Sequence, residues 1–260
     1  MKRNSRAWHA PAVSRPVLLG GVMVLLALTS ASVAAADAGP GPFGVTRTAE
    51  ATARSARVGA LFRADRSGDL AGNHSCTASV VHSPQGDLIV TAAHCVTSGG
   101  AGLVFVPGYR DGRAPYGVWR VGRVFVSDGW SDGQAEDSDI AFAVVDGPDG
   151  GRIEDVVGGN RIAFGTATGA TGVTVTGYPN TSEVPLSCTN KPSAQSRTQQ
   201  RIDCPGLTGG TSGSPWVNGD HRIVGVLGGY ERGGATDDTS YSVTLGEEAA
   251  GLYQDAVDGS

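Results

Sequence analysis

Thr77-Ala78-Ser79-Val80-Val81-His82-Ser83-Pro84-Gln85-Gly86-Asp87-Leu88-Ile89-Val90-Thr91-Ala92 reads as two short apolar runs, Thr77 to Val81 and Leu88 to Ala92, joined by a turn at Ser83 to Asp87. The runs are too short for ordinary helices, and their Val and Ile content favours strands. Gly86 sits where a hairpin needs a residue that reaches positive φ without a Cβ clash. The same pattern continues in both directions from this hairpin. Apolar runs at Val58 to Phe62, Leu103 to Val106, Val118 to Val126, Ile140 to Val145, Arg161 to Phe164, Val173 to Tyr178, Arg201 to Cys204, Pro215 to Val217 and Ile223 to Leu227 bring the expected strands to eleven. Asn218-Gly219-Asp220 marks another hairpin turn. An all-β chain follows.

The Gly- and Asp-rich stretch from Asp146 to Gly159 divides the strands into two groups of five or six. Each group is the size of a small antiparallel barrel that closes around its own core, and two packed barrels are the expected architecture, with a single β-sandwich as the competing one. The barrels are expected over about 58–146 and 160–245. Thr244-Leu245-Gly246-Glu247 has capping-box spacing, and Ala249, Ala250, Leu252, Tyr253 and Ala256 form an apolar helical face. A short helix over 246–257, docked on the second half, is therefore predicted.

The chain has 260 residues, of which 40 are Gly, too many for a helical bundle, and its 40% apolar content supports a real core. Its 25 acidic and 20 basic residues give a net charge of −5, which argues against a nucleic-acid partner. Lys2, Arg3, Arg6 and Arg15 precede an apolar run from Val17 to Leu28, and Ala34-Ala35-Ala36 offers a small-residue cleavage site. Residues 1–36 thus read as a secretory signal peptide, with Asp37 as the expected mature N-terminus. The apolar run is shorter than the roughly 20 residues that span a bilayer, so no membrane association is expected after its removal. Residues 37–260 carry 16 basic and 25 acidic side chains, a net charge of −9. Arg outnumbers Lys 18 to 2, a usage that resembles high-GC bacteria. Residues 37–57 lack an apolar period and read as a flexible leader, a propeptide or an arm on the domain at 58–260.

Three segments carry chemistry. Ile89-Val90-Thr91-Ala92-Ala93-His94-Cys95 puts a histidine just beyond a strand end. Gly209-Gly210-Thr211-Ser212-Gly213-Ser214-Pro215 places a serine between glycines in a tight turn, which exposes a hydroxyl and aims the Gly210 and Ser212 amides at one point. Acyl transfer needs those parts: a nucleophilic oxygen and two donors for the charge that develops on the carbonyl oxygen. Asp137-Ser138-Asp139-Ile140-Ala141-Phe142 runs an acidic turn into an apolar strand. A carboxylate there can select the histidine tautomer that accepts the serine proton. Asp137 and Asp139 are nearly equal candidates, and the burial expected beside Ile140 favours Asp139.

Thr91-Ala92-Ala93-His94-Cys95, Asp139-Ile140-Ala141 and Gly210-Thr211-Ser212-Gly213-Ser214-Pro215, in this order, resemble the three catalytic blocks of chymotrypsin/trypsin-like serine peptidases. The resemblance covers roughly residues 58–245. It implies two six-stranded β-barrels with the active site between them, a secreted serine endopeptidase acting on polypeptides, His94 as general base and acid, Asp139 as its orienting carboxylate, Ser212 as nucleophile, and the Gly210 and Ser212 amides as the oxyanion hole. It also implies a disulfide between Cys76 and Cys95; the sequence alone permits three pairings of the four cysteines, and with that pair taken Cys188 and Cys204 are left as the second. Chain order separates this reading from the α/β-hydrolases, whose nucleophile precedes the acid and the histidine and has Gly two places after it, where Ser214 stands here. Ligand chemistry alone would allow a zinc site at His74, Cys76, His94 and Cys95, but the spacing does not support one. No metal, no cofactor and a monomeric state are expected.

The departures from the family pattern concern activation and specificity. Thr211 stands where digestive members carry an Asp that pairs with a newly released amine, and the Ser-Gly-Ser-Pro ending is closest in style to the bacterial glutamyl-endopeptidase-like branch. The resemblance places the substrate pocket at Gly206, Leu207, Leu227, Gly228 and Gly229. Gly206 replaces the acidic base of a trypsin-like pocket, with Asp203 nearby, while Leu207 and Leu227 replace the threonine and histidine of the glutamyl-specific branch. An apolar or small residue before the cut is therefore expected. His74, His82 and His221 fall near predicted turns and are expected to be exposed.

Overall fold

The computed structural model describes residues 42–97 and 100–260, so the leader read at 1–36 and the expected start at Asp37 lie outside the described residues. The first element is β1 (Val45–Thr48), followed by β2 (Val58–Arg63), β3 (His74–Val81), β4 (Leu88–Thr91), β5 (Leu103–Pro107), β6 (Trp119–Val126) and β7 (Ala141–Asp146). Strands β2 to β7 close into an antiparallel barrel in the order β2-β3-β4-β7-β6-β5. Leu61, Ala78, Val80, Ile89, Phe105, Trp119, Ala143 and Val145 share one buried cluster. Alternate residues Val81, Leu88, Val90 and Phe142 are buried in a second. Burial on both faces explains why these strands read as nearly continuous apolar runs rather than as an alternation.

The second half is built differently. Strands β8 (Arg161–Ile162), β9 (Val173–Gly177), β10 (Leu186–Asn190), β13 (Pro215–Asn218) and β14 (Arg222–Val226) join β1 in a six-stranded sheet of order β1-β10-β9-β13-β14-β8. Strands β11 (Ser193–Ala194), β12 (Gln199–Asp203) and β15 (Thr239–Val243) form a separate three-stranded sheet. The sheets meet where Leu227 bridges Ser242 and the Val226 N–H donates to Ser242 Oγ at 2.8 Å. The contact continues to the Gly228 N–H, which donates to the Tyr241 carbonyl at 3.0 Å, so this half consists of two sheets joined edge to edge rather than one closed ladder of strands. The polar stretch between Cys188 and Cys204 holds β11, β12 and the end of β10. Hydroxyl pairs stitch β9 to β10, Thr174 to Thr189 at 2.8 Å and Thr176 to Ser187 at 3.2 Å, so polar residues serve here as strand partners.

Residues 42–57 are docked on the domain. β1 pairs with β10, the Gly44 N–H donates to the Asp203 carbonyl at 2.9 Å, and the Ala49 N–H donates to the Pro185 carbonyl at 2.8 Å. Gly44 has no room for a side chain, since a Cβ would lie 2.5 Å from Cys188 Sγ and 2.9 Å from Cys204 Sγ. The disulfides are Cys76–Cys95 and Cys188–Cys204.

Three helices complete the described chain: α1 (Asp128–Gly133), α2 (Ile153–Val157) and α3 (Glu247–Gly259). The capping box expected at Thr244 and Glu247 does not form. Gly246 is the N-cap, with no side-chain cap, and the Thr244 hydroxyl donates to the Thr198 carbonyl instead. Nor does α3 dock on the second half alone. Ala249, Leu252 and Ala256 are buried against Val81, Leu88, Val90 and Phe142 of the barrel as well as Ile223 and Val226, and the Tyr253 hydroxyl donates to the His82 carbonyl at 2.7 Å. The helix therefore straps the two halves together. His74, expected to be exposed, is buried because it opens β3 inside an aromatic cluster with Phe62, Tyr109 and Tyr178. Burial pushes both tyrosines well above the ordinary phenol range, and for Tyr109 the bond to Glu183 adds to it.

Candidate active site

Strand pairing brings His94 and Asp139 to one rim. β4 and β7 run antiparallel with Thr91 opposite Ala141, so the residues just after Thr91 and just before Ala141 emerge at the same end of the barrel. His94 lies in the one-turn 3-10 helix Ala93–Val96, fastened to β3 by the Cys76–Cys95 disulfide. Asp139 ends the 3-10 turn Glu136–Ser138.

The Asp139 side chain is 1% exposed and that of His94 12%. A carboxylate so deeply buried needs a full set of donors, and Asp139 has them. Oδ1 accepts the His94 backbone N–H at 2.9 Å, while Oδ2 accepts from His94 Nδ1 at 2.7 Å and from the Gly229 N–H at 2.8 Å. The acceptor facing Nδ1 puts the ring proton there and leaves Nε2 with a free lone pair. Asp137 is exposed and points elsewhere, its Oδ1 accepting from the Thr198 hydroxyl and from Gln199 Nε2, both at 2.9 Å.

Ser212 comes from the second half on the turn before β13. Gly213 lets this turn press against the barrel. Its φ is +86°, and a Cβ there would lie 2.0 Å from the Thr77 carbonyl oxygen and 2.2 Å from Thr91 Oγ1. The Thr77 N–H donates to the Ser212 carbonyl at 2.7 Å. Ser212 is half-buried beside the rim that carries His94. Its hydroxyl makes no hydrogen bond to His94 among the described residues, so the two are placed by their elements and not by a direct bond. The Gly210 and Ser212 N–H groups have no acceptor among the described residues.

The residues expected to line the pocket are placed less openly. Leu207 and Leu227 are buried with Trp216, Val224 and the Cys188–Cys204 disulfide in the core of the second half. Gly228 lies directly behind the carboxylate, where a Cβ would fall 2.9 Å from Asp139 Oδ2. Gly229 supplies the third donor to Asp139 and also has positive φ. Gly206 occupies a turn with φ of +82° and donates its N–H to the Asp237 carbonyl at 2.7 Å. The Asp203 carboxylate is held by Arg201 at 2.6 Å and by the Thr239 hydroxyl at 3.0 Å, so its charge is already paired.

Gln199 is a residue that the strand pattern did not single out. It is buried, its Nε2 donates to the Glu136 carbonyl and to Asp137, and its Oε1 accepts the Tyr230 N–H at 3.3 Å. It thereby ties the turn leading into Asp139 to the segment that donates to Asp139. Its signal in the sequence was weak, a glutamine in a polar stretch with no apolar alternation. A cavity of about 420 Å³ opens beside it, lined by Glu136, Asp137, Arg197, Thr198 and Tyr230 among others. A larger cavity of about 860 Å³, between the arm and the Thr-rich face of β9 and β10, includes none of His94, Asp139 or Ser212. Cys76, His94 and Cys95 lie close enough to suggest a metal site, but the disulfide leaves neither sulfur as a thiolate ligand.

A family model described as a trypsin-like peptidase domain matches residues 76–226. No curated protein matches the sequence significantly. Among solved structures, the chain is similar to the protease Anisep from Arthrobacter nicotinovorans, with 27% identity over 82% of this chain and all of that one and a TM-score of 0.69. It is also similar to AL20, a thermostable serine protease from an extremophilic microorganism, with 26% identity over 80% of this chain and all of that one and a TM-score of 0.68. A Glu endopeptidase shares the fold at 20% identity, covering 84% of this chain and 98% of its own, with a TM-score of 0.64.

Proposed function

We propose, for a chain that belongs to the trypsin-like peptidase family and is a serine endopeptidase acting on polypeptides, that Ser212, His94 and Asp139 carry the reaction. The observation that supports this assignment most directly is the His94 ring, held through Nδ1 by the three-donor Asp139 carboxylate. Nε2 takes the proton as Ser212 Oγ attacks the substrate carbonyl, and the oxyanion receives the Gly210 and Ser212 N–H groups. Collapse of this intermediate passes the proton from His94 to the leaving amine and leaves an acyl-enzyme. A water deprotonated by His94 then releases the product. Labelling by a serine-directed phosphonate, abolished in Ser212→Ala, is the expected result. Undiminished labelling of Ser212→Ala would refute the assignment.

Before the cut the enzyme prefers an apolar or small side chain. Two features support this preference: Gly206 brings no charge, and Asp203 is neutralised by Arg201. A peptide-library profile dominated by Glu, Asp, Arg or Lys immediately before the cut would contradict it. The protein is secreted, a reading supported by the leader chemistry of residues 1–36 and by two disulfides, which persist in oxidising compartments. Residues 42–57 stay on the mature enzyme as an arm, because β1 completes the edge of the six-stranded sheet. N-terminal sequencing of exported protein is expected to find Asp37, whereas a start beyond Thr48 would show that the arm is removed.

A further inference from the structure

Thr77 is fully buried in β3, and the strand pattern accounts for it only as filling between Cys76 and Ala78. Its polar atoms are nevertheless all engaged, and three of their four partners lie in or under the loop that carries Ser212. The N–H donates to the Ser212 carbonyl at 2.7 Å. The hydroxyl donates to the Gly210 carbonyl at 3.0 Å and accepts the Tyr178 N–H at 2.9 Å. The Thr77 carbonyl accepts the Thr91 hydroxyl at 2.8 Å, which locks the clamp to β4.

These bonds determine where the Gly210 N–H points. A trans peptide holds its C=O and N–H in opposite directions. The Gly209 carbonyl accepts the Asn180 N–H at 2.7 Å, so the Gly210 N–H on the same peptide is turned away from Asn180. The Thr77 hydroxyl pins the next peptide through the Gly210 carbonyl. Gly210, at φ of +99°, is thus held on both sides against a shelf formed by Tyr178, Pro179 and Asn180, where a Cβ would come within 2.3 Å of Asn180 Oδ1 and 2.5 Å of the Tyr178 carbonyl. The shelf is anchored by the same Thr77 oxygen and by His74, whose Nε2 meets the Pro179 carbonyl at 2.9 Å. A single hydroxyl therefore joins the loop to the surface that orients it.

We propose that Thr77 is a positioning residue, whose side-chain hydroxyl sets the Gly210 amide for the transition state. This inference rests on the assignment of Ser212 as nucleophile. Thr77→Val keeps the shape and the backbone bond to Ser212 but removes both side-chain bonds, whereas Thr77→Ser keeps the hydroxyl. Losing an oxyanion donor outright costs about 10²–10³ in kcat, and misaiming one is expected to cost about 10–100-fold. In Thr77→Val kcat should fall by that factor with KM within about threefold. Affinity for a peptide boronate, whose tetrahedral adduct uses the same donors, should fall in parallel. Thr77→Ser should stay within about threefold of the parent in both.

An unchanged kcat in Thr77→Val overturns the proposal, as does a loss confined to KM or a Thr77→Ser variant as impaired as Thr77→Val. The Gly210 amide resonance in nitrogen-15-labelled protein provides a readout that needs no turnover. It should shift in Thr77→Val and hold in Thr77→Ser. If Ser212→Ala hydrolyses peptides as fast as the parent, the assignment of the nucleophile fails, and the shift alone then decides whether Thr77 holds the loop.

Discussion

The two halves reach stability by different routes. In the first, apolar side chains on both faces of β2 to β7 close a barrel. In the second, two sheets meet at Leu227 and Ser242, and several strands are held through Thr, Ser and Gln side chains. The contrast extends to the active site. The first half brings His94 and Asp139 together by the register of neighbouring strands, which leaves little freedom. The second presents Ser212 on a glycine-rich turn that takes its position from polar bonds to the barrel, those of Thr77 above all. A closed barrel makes a rigid platform for the proposed base, while a loop lets the proposed nucleophile and its amides be aimed separately.

The sharpest test on the barrel side is Asp139→Asn. It leaves the packing intact but removes the acceptor that selects the His94 tautomer, and kcat should fall about 10⁴-fold in a peptide-hydrolysis assay. A loss of less than tenfold would mean that the rim geometry does not govern the base. On the loop side, Gly213→Ala introduces a Cβ at positive φ and within 2.0 Å of the Thr77 carbonyl. Urea unfolding should show a loss of about 3 kcal/mol or more, whereas Gly219→Ala, with nothing within 4 Å, should change stability by no more than about 0.5 kcal/mol.

The disulfides compare the halves directly. Each closes a loop of similar length, with separations of 19 and 16 residues, and each double Cys→Ser variant should lose about 3 kcal/mol. Their local consequences should differ. Loss of Cys76–Cys95 should lower kcat by loosening the turn that carries His94. Loss of Cys188–Cys204 should speed amide exchange in Val45–Thr48, since Gly44 packs on its sulfurs. The smallest effect belongs to Asp137→Asn, which should leave kcat within about twofold because Asp137 only bonds Thr198 and Gln199.

The barrel strands were legible as apolar runs because both of their faces are buried. Strands β10 and β15 were not. Cys188 is buried through its disulfide to Cys204, and Ser242 through a polar partner far along the chain, its Oγ accepting the Val226 N–H at 2.8 Å. His74 was misjudged for the same reason, since its aromatic neighbours Tyr109 and Tyr178 come from other strands and loops. Leu207 and Leu227 were expected to face a pocket, and their side chains join the core instead.

What short-range chemistry along the chain could establish was the type of architecture and the kinds of residue able to carry the reaction, because strand patterning, tight turns and reactive side chains are local properties. It left Asp137 and Asp139 nearly equal. Folding separated them, since only Asp139 lies where the His94 ring, the His94 backbone and Gly229 converge. The aim of the Gly210 amide was likewise decided by contacts among β3, the Tyr178–Asn180 shelf and the serine loop, segments more than 25 residues apart along the chain. Hydrogen bonds of that kind exist only after the halves have packed, and no pattern within one segment records them.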